Sequence, residues 1–266
     1  MTQHATQHSV SRLLLFIYVG LVLFFLILPV LIVFPISFSS SRFLSFPPPG
    51  YSLRWYIAFF DSSAWMSAGR TSLIVAVATT LIATPLGVSA AYAMDNSSSS
   101  IVRYLKVVLL LPMIIPIIII AIGVFFVYAR TGLLASIPGL ILADVMLGIP
   151  YVVTAVTAGL QGFDKAQEMA ARSLGMNRFR SFLAVTLPQI WPSVITGAIF
   201  AFIQSLDETI VALFISGGQY QTLTKRMFTS LRDEIDPTIA AISTVLTVTS
   251  FALVLLMLLS RKKSDR

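Results

Sequence analysis

Six long, charge-poor apolar runs constrain this chain more than any other feature. A helix needs about 20 predominantly apolar residues to cross a bilayer. The first run lies between Arg12 and Arg42, with its apolar core over Leu13–Phe34. The second lies between Arg70 and Asp95, and the third between Lys106 and Arg130. A fourth extends from Pro138 to Gly159 and carries Asp144. A fifth starts after Pro192, ends near Gly217 and carries Asp207 and Glu208, and the sixth fills Asp236–Arg261. The expected fold is therefore an all-α polytopic membrane protein with about six transmembrane helices. The first run is too long for the apolar stretch of a signal peptide, and no A-x-A-like site follows it. It is expected to stay as a helix.

Composition sharpens what is excluded. Apolar residues make up 57% of the chain and charged residues 11%, against about 25% charged in a soluble domain. Cysteine is absent, and both histidines, His4 and His8, precede the first run. Thiolate chemistry is thereby ruled out, and histidine-based metal or catalytic sites within the spans are not expected. No P-loop, H-E-x-x-H or G-x-S-x-G string occurs, so no catalytic residue is expected, and any ATP-driven work must fall to another subunit. The net charge of +7 does not point to nucleic acid. Lys and Arg sit in short loops beside apolar runs, as the positive-inside rule requires.

With six spans both termini share one side. Placing them in the cytoplasm puts eleven of the 18 basic residues inside, among them the cluster Arg261–Lys263 that abuts the last run. On that topology two outer segments stand out. Residues 43–65 hold Pro47-Pro48-Pro49-Gly50 and an aromatic-rich stretch to Phe60 suited to a membrane interface. The segment Gly217–Pro237 is a charged loop with Asp233, Glu234 and Asp236. Asn96–Ser100 falls on the inner side and reads as a short turn. Small residues along the second run, including Ala76, Thr79, Ala83, Gly87 and Ala91, suit close helix packing, and Pro85, Pro112 and Pro116 can kink helices.

Between runs four and five lies a polar insert, Gly162–Pro188, too long for a tight turn. Asp164 is a plausible N-cap, with Gln167 completing a capping-box pattern. Alanines and Leu174 favour helix, and Gly175 suits a left-handed position just past its end. A second short helix can start at Asn177, with Pro188 and Pro192 separating it from the fifth run. Ala166, Met169, Ala170 and Leu174 share one face of the first helix, while Lys165, Glu168 and Arg172 share another. Such a helix can receive a soluble partner or rest on lipid headgroups.

The insert resembles the EAA loop of ABC importer inner-membrane permeases, E-A-A-x3-G-x9-I-x-L-P. Ala170, Ala171, Gly175, Leu187 and Pro188 match in register, with Val185 at the usual Ile. The motif Glu falls at Met169, with an acid one place earlier at Glu168. Its role is therefore either absent or moved to Glu168. Ser205–Glu208, Ala212–Gly217 and Thr222–Leu246 are similar to permeases of the spermidine/putrescine group. The likeness covers residues 66–260 as a permease core, leaving 1–65 as tail, first helix and interfacial segment, and 261–266 as a basic tail.

The resemblance implies a bacterial inner-membrane protein whose insert is a cytoplasmic coupling helix docking on an ATPase dimer. Glu168, Met169, Ala170, Ala171, Gly175, Met176, Phe179, Leu187 and Pro188 would form that coupling site. It further implies a second permease subunit, an extracytoplasmic binding protein that delivers a polyamine or related organic cation, and ATP with Mg held by the partner rather than by this chain. Acids inside spans usually face a bundle interior or a solute path, which makes Asp207, Glu208 and Asp144 candidate path residues. Ion pairing with Arg70 or Arg130 is the alternative. The rival class is a self-sufficient secondary transporter that uses one of these carboxylates.

Overall fold

The computed structural model describes residues 3–97, 99–233 and 236–264. Glu234 and Arg266 lie outside the described residues. The twelve described α-helices are α1 (Gln3–Ser37), α2 (Arg54–Asp61), α3 (Ser63–Asp95), α4 (Ser100–Leu110), α5 (Ile117–Thr131), α6 (Ile137–Gln161), α7 (Lys165–Ser173), α8 (Arg178–Ser181), α9 (Leu187–Asp207), α10 (Ile210–Ile215), α11 (Leu223–Asp233) and α12 (Thr238–Ser264). Two isolated bridges, Ser39 with Tyr51 and Gly217 with Tyr220, are the extended pairings among the described residues. Five helices are long and apolar enough to cross a membrane, and six spans result if the bent pair α4–α5 is one crossing. The fold is all-helical and polytopic, as the apolar runs require.

Two compact units emerge. One joins the segment up to Ser62 with Ser230–Val248; the other joins Ser63–Thr229 with the segment from Thr249. Within the first, α1 exposes its apolar side chains, from Leu14 at 61% to Phe34 at 48%. Helix α2 likewise buries none of its side chains and shows Ile57 and Phe60 outward. Its Tyr56 hydroxyl lies 2.8 Å from Ser37 Oγ at the end of α1.

The second unit is built on α3, α6 and α9, which pack pairwise against one another. Small residues set that closeness. Thr79, Ala83, Gly87 and Ala91 recur on the buried face of α3. A Cβ placed at Gly87 would stand 2.6 Å from Val152 Cβ, and one at Gly197 would stand 2.9 Å from Val152 Cα. Only glycine allows α3 and α9 to approach Val152 of α6 from both sides. In a bilayer, where burying apolar surface gives helices little drive to associate, this close packing is the main attraction. A second apolar cluster joins α5, α6 and α10 through Ala121, Tyr128, Leu140, Val211 and Ile215.

The structure differs from the sequence reading in several places. The third span is not one rod: α4, a 3-10 turn at Leu111–Met113 and α5 form a pair bent by 102°. Pro112 lies in that turn and Pro116 caps α5, so the two missing N–H groups fall where the ladder is broken. The fifth span ends at Asp207 rather than near Gly217, because Glu208 turns extended and α10 starts afresh. The short helix after Asn177 is not separated from that span. It runs through a π-helical turn, Phe182–Thr186, directly into α9, and Pro188 sits in the first turn of α9, where its missing N–H is tolerated. Finally, the expected loop Gly217–Pro237 contains helix α11, and Asp236 Oδ1 accepts from Thr238 N at 2.9 Å at the start of α12.

Candidate functional site

Helix α7 is a short polar helix held at one end of the α3–α6–α9 bundle. Asp164 Oδ1 accepts from Ala166 N at 2.9 Å and satisfies one of the free donors of the first turn. Gln167 does not complete a capping box. Its Oε1 accepts instead from Gln189 Nε2 of α9 at 2.6 Å. The far end closes as a Schellman motif, with Gly175 N donating to Arg172 O at 3.0 Å and Met176 N to Ala171 O at 3.2 Å. Gly175 sits at φ +95°, the left-handed conformation expected there. Asn177 Oδ1 then accepts from Arg180 N at 2.9 Å and starts α8.

The two faces of α7 have opposite characters. Glu168 and Ala171, three positions apart, turn inward and are 7% exposed. Ala166, Met169 and Ala170 face outward, and the outward surface continues through Leu174 at 86%, Gly175, Met176 and Phe179 at 69% exposure. Leu187 and Pro188 belong to the entry of α9, where Leu187 is half-buried and Pro188 exposed.

Of the nine coupling candidates, Met169, Ala170, Gly175, Met176 and Phe179 are thus exposed, while Glu168 and Ala171 are buried. Glu168 Oε1 accepts from the Tyr92 hydroxyl of α3 at 2.5 Å, and Oε2 accepts from Thr186 Oγ1 of the π turn at 2.5 Å. Tyr92 packs on Phe182 at 4.6 Å between ring centroids, and the Arg178 guanidinium lies 5.3 Å from the centre of its ring. Beside them Lys165 Nζ pairs with Asp95 Oδ2 at 2.8 Å and donates to Asp95 O at 2.9 Å, at the C-terminus of α3. Sequence reasoning did not single out Tyr92 or Thr186. The i, i+3 spacing of Glu168 and Ala171 was the available sign that the acid shares the inner face.

The three intramembrane acids occupy different settings. Asp144 of α6 is 5% exposed and accepts a hydrogen bond from the Ser205 hydroxyl of α9. Glu208, 6% exposed, lies in the break after α9, where its Oε1 accepts from Val211 N at 2.6 Å and its backbone oxygen accepts from Thr224 Oγ1 at 2.9 Å. Asp207 ends α9 and is exposed. The ion pairs among the described residues are Lys165–Asp95 and Arg232–Asp233, so none of these acids pairs with Arg70 or Arg130. The break is braced from α11 as well. Leu223 N donates to Ser72 Oγ of α3 at 2.8 Å, and Lys225 Nζ donates to the carbonyls of Leu213, at 3.3 Å, and Ser216. Burial pushes the Lys225 ammonium below the usual lysine range. Between α6 and α9, on the side of α7, a groove of about 720 Å³ is lined by Ala155, Gly159, Gln189, Ser193 and Thr196.

The site is a polytopic helical bundle with a polar helix exposed at one end. The family described as "Binding-protein-dependent transport system inner membrane component" matches residues 83–265, and the chain belongs to it. The chain is 29% identical over 242 residues to the spermidine/putrescine transport system permease protein PotC of Haemophilus influenzae, covering 91% of this chain and 93% of that protein. It is 30% identical over 233 residues to the putrescine transport system permease protein PotI of Escherichia coli strain K12, covering 84% and 81%. In fold it is similar to a solved bacterial ABC transporter involved in the import of the acidic polysaccharide alginate, with a TM-score of 0.69, 14% identity and 99% and 98% coverage. A second structure of a bacterial alginate ABC transporter, in complex with a periplasmic protein bound to alginate pentasaccharide, aligns with a TM-score of 0.71 at 14% identity over 95% and 94% of the two chains. The protein is a multi-pass inner-membrane permease subunit of an ABC importer. Nothing in these comparisons supports the secondary-transporter alternative.

Proposed function

We propose that this chain carries a polyamine or related small organic cation across the membrane, handed over by an extracytoplasmic binding protein, and that α7 is its coupling helix. On this reading both termini are cytoplasmic, α7 docks on a cytoplasmic ATPase dimer that holds the ATP and Mg, and a second permease subunit completes the path. The observation that carries it is the two-faced α7. Its inner face is fastened to α3 and α9, while Met169, Ala170, Leu174, Met176 and Phe179 stand outward and exposed among the described residues. Small residues permit close approach, and the thioethers adapt to an irregular groove. The polyamine assignment rests on the names of PotC and PotI and on the acids near the end of α9.

Among those acids Asp207 is the best candidate to face the solute. Its side chain is exposed, whereas Asp144 and Glu208 spend their carboxylates on Ser205 and Val211. Asp144 and Glu208 would then shape the path rather than bind in it. Affinity purification of the tagged chain from native membranes, with identification of what accompanies it, tests the assembly. A P-loop ATPase and a second permease are the expected companions, and a chain that purifies alone would count against the reading. Uptake of labelled spermidine by the reconstituted complex tests the solute.

A further inference from the structure

We propose that Glu168 is a positioning residue that clamps the coupling helix to two spans at once, so that α7, α3 and the start of α9 move as one body when the ATPase closes. The inference rests on α7 being the coupling helix and adds how its movement reaches the membrane.

The geometry of the junction carries it. A carboxylate that served the outer docking surface would stand with Met169 and Leu174; this one is buried beneath them and uses one oxygen for each span. Oε1 takes the Tyr92 hydroxyl of α3, and Oε2 takes the Thr186 hydroxyl at the head of α9, both at 2.5 Å. The carboxylate thus has a hydrogen bond on each of its oxygens. Burial shields them from water, so the loss of one partner is expensive.

The other ties at this junction reach one span each. Among the described residues Lys165 reaches Asp95 of α3 alone, with its side chain 49% exposed, where screening weakens an ion pair. Gln167 reaches only Gln189 of α9, in an exposed hydrogen bond. The π turn contributes directly. Thr186 is its last residue and is fully buried, and its hydroxyl goes to Glu168. A turn of this kind inside a helix is costly and commonly marks a functional position. A tilted aromatic contact of Tyr92 with Phe182 joins the same two elements. Glu168 is therefore the polar group at which the coupling helix and both spans meet.

The absence of cysteine makes the test clean, because spin labels can be placed on the otherwise unmodified chain in its complex with the ATPase in nanodiscs. One pair, Ala93→Cys with Ser173→Cys, reports α3 against α7; another, Leu183→Cys with Ser173→Cys, reports the π turn against α7. In the parent complex both dipolar spectra should be the same without nucleotide and after trapping with ATP and vanadate. Glu168→Ala should add a second separation in both pairs on trapping and lower transport per ATP about tenfold, as expected for a residue within a coupling network. Tyr92→Phe should loosen only the α3 pair, and Thr186→Val only the π-turn pair, a split that a general loss of stability would not produce. Glu168→Gln, which keeps the size and one acceptor oxygen, guards against a misfolded alanine variant and should fall between.

The proposal is overturned if the parent pairs already change on trapping, or if Glu168→Ala and Glu168→Gln both keep the parent spectra. Failure of the ATPase to accompany the parent chain would instead overturn the coupling-helix reading beneath it.

Discussion

Two regions of the second unit use a buried carboxylate, and they use it differently. At the α7 junction Glu168 accepts from side chains of two other elements, Tyr92 on α3 and Thr186 in the π turn. At the break after α9, Glu208 accepts from Val211 N three residues along its own chain. The first carboxylate ties separate elements together. The second ends one helix and starts the next, by the same chemistry as an N-cap. The surfaces above them differ in the same sense. Over Glu168 lies an outward face of Met169, Ala170 and Leu174, whereas Glu208 lies under α11, with Thr224 donating to its backbone. On the proposed reading the first region transmits movement to a partner, while the second holds the break between α9 and α10.

If that contrast is right, mutations should separate folding from coupling. The largest effect is expected outside both regions, at their shared support. Gly197→Leu would drive a side chain into Val152 Cα, 2.9 Å from the position of a Cβ, at a cost of about 3 kcal/mol or more from overpacking. Fluorescence-detected size exclusion should show loss of the folded species, with both regions lost together. Next is Gly175→Val, which forces a β-branched residue to φ +95° at a cost of about 2 kcal/mol. The chain should still insert, but uptake by the assembled transporter should be abolished because the Schellman turn beneath Met176 cannot form. Normal uptake would argue against a coupling role for α7.

Glu208→Ala removes a cap worth about 1 kcal/mol and leaves the Val211 donor buried. The expected result is a lower melting temperature with ATPase co-purification unchanged. Smallest in stability is Leu174→Ser on the outer face, within about 0.5 kcal/mol. It should nonetheless weaken ATPase retention in detergent, the reverse of Glu208→Ala. Equal behaviour of these last two variants would erase the distinction between the regions.

The pattern that the amino acids announce is the one set by solvent. Apolar runs between charges place the cores of α1, α3 and α12, because a charge within the hydrocarbon layer is costly, and apolar length alone places α6 despite Asp144. Local chemistry is equally readable at Asp164 and Gly175, where a cap and a left-handed turn have few substitutes. Breaks within apolar runs are not. Pro112 and Pro116 permit a mild kink as readily as the 102° bend, and the choice is made by packing of α5 on α10, far along the chain. Asp207-Glu208 reads as two consecutive helix positions until Glu208 is seen capping α10. The orientation of Glu168 depends on hydroxyls at Tyr92 and Thr186, 76 and 18 residues away, and no motif around the acid specifies them.

Photo-cross-linking from α7 in native membranes, with a probe introduced at Met169 or at Ala171, tests the central claim that the outer face of this helix receives the ATPase. Adducts with a P-loop ATPase from Met169 and none from the buried Ala171 are expected. Adducts with lipid alone from Met169, or equal ATPase adducts from both positions, would contradict it.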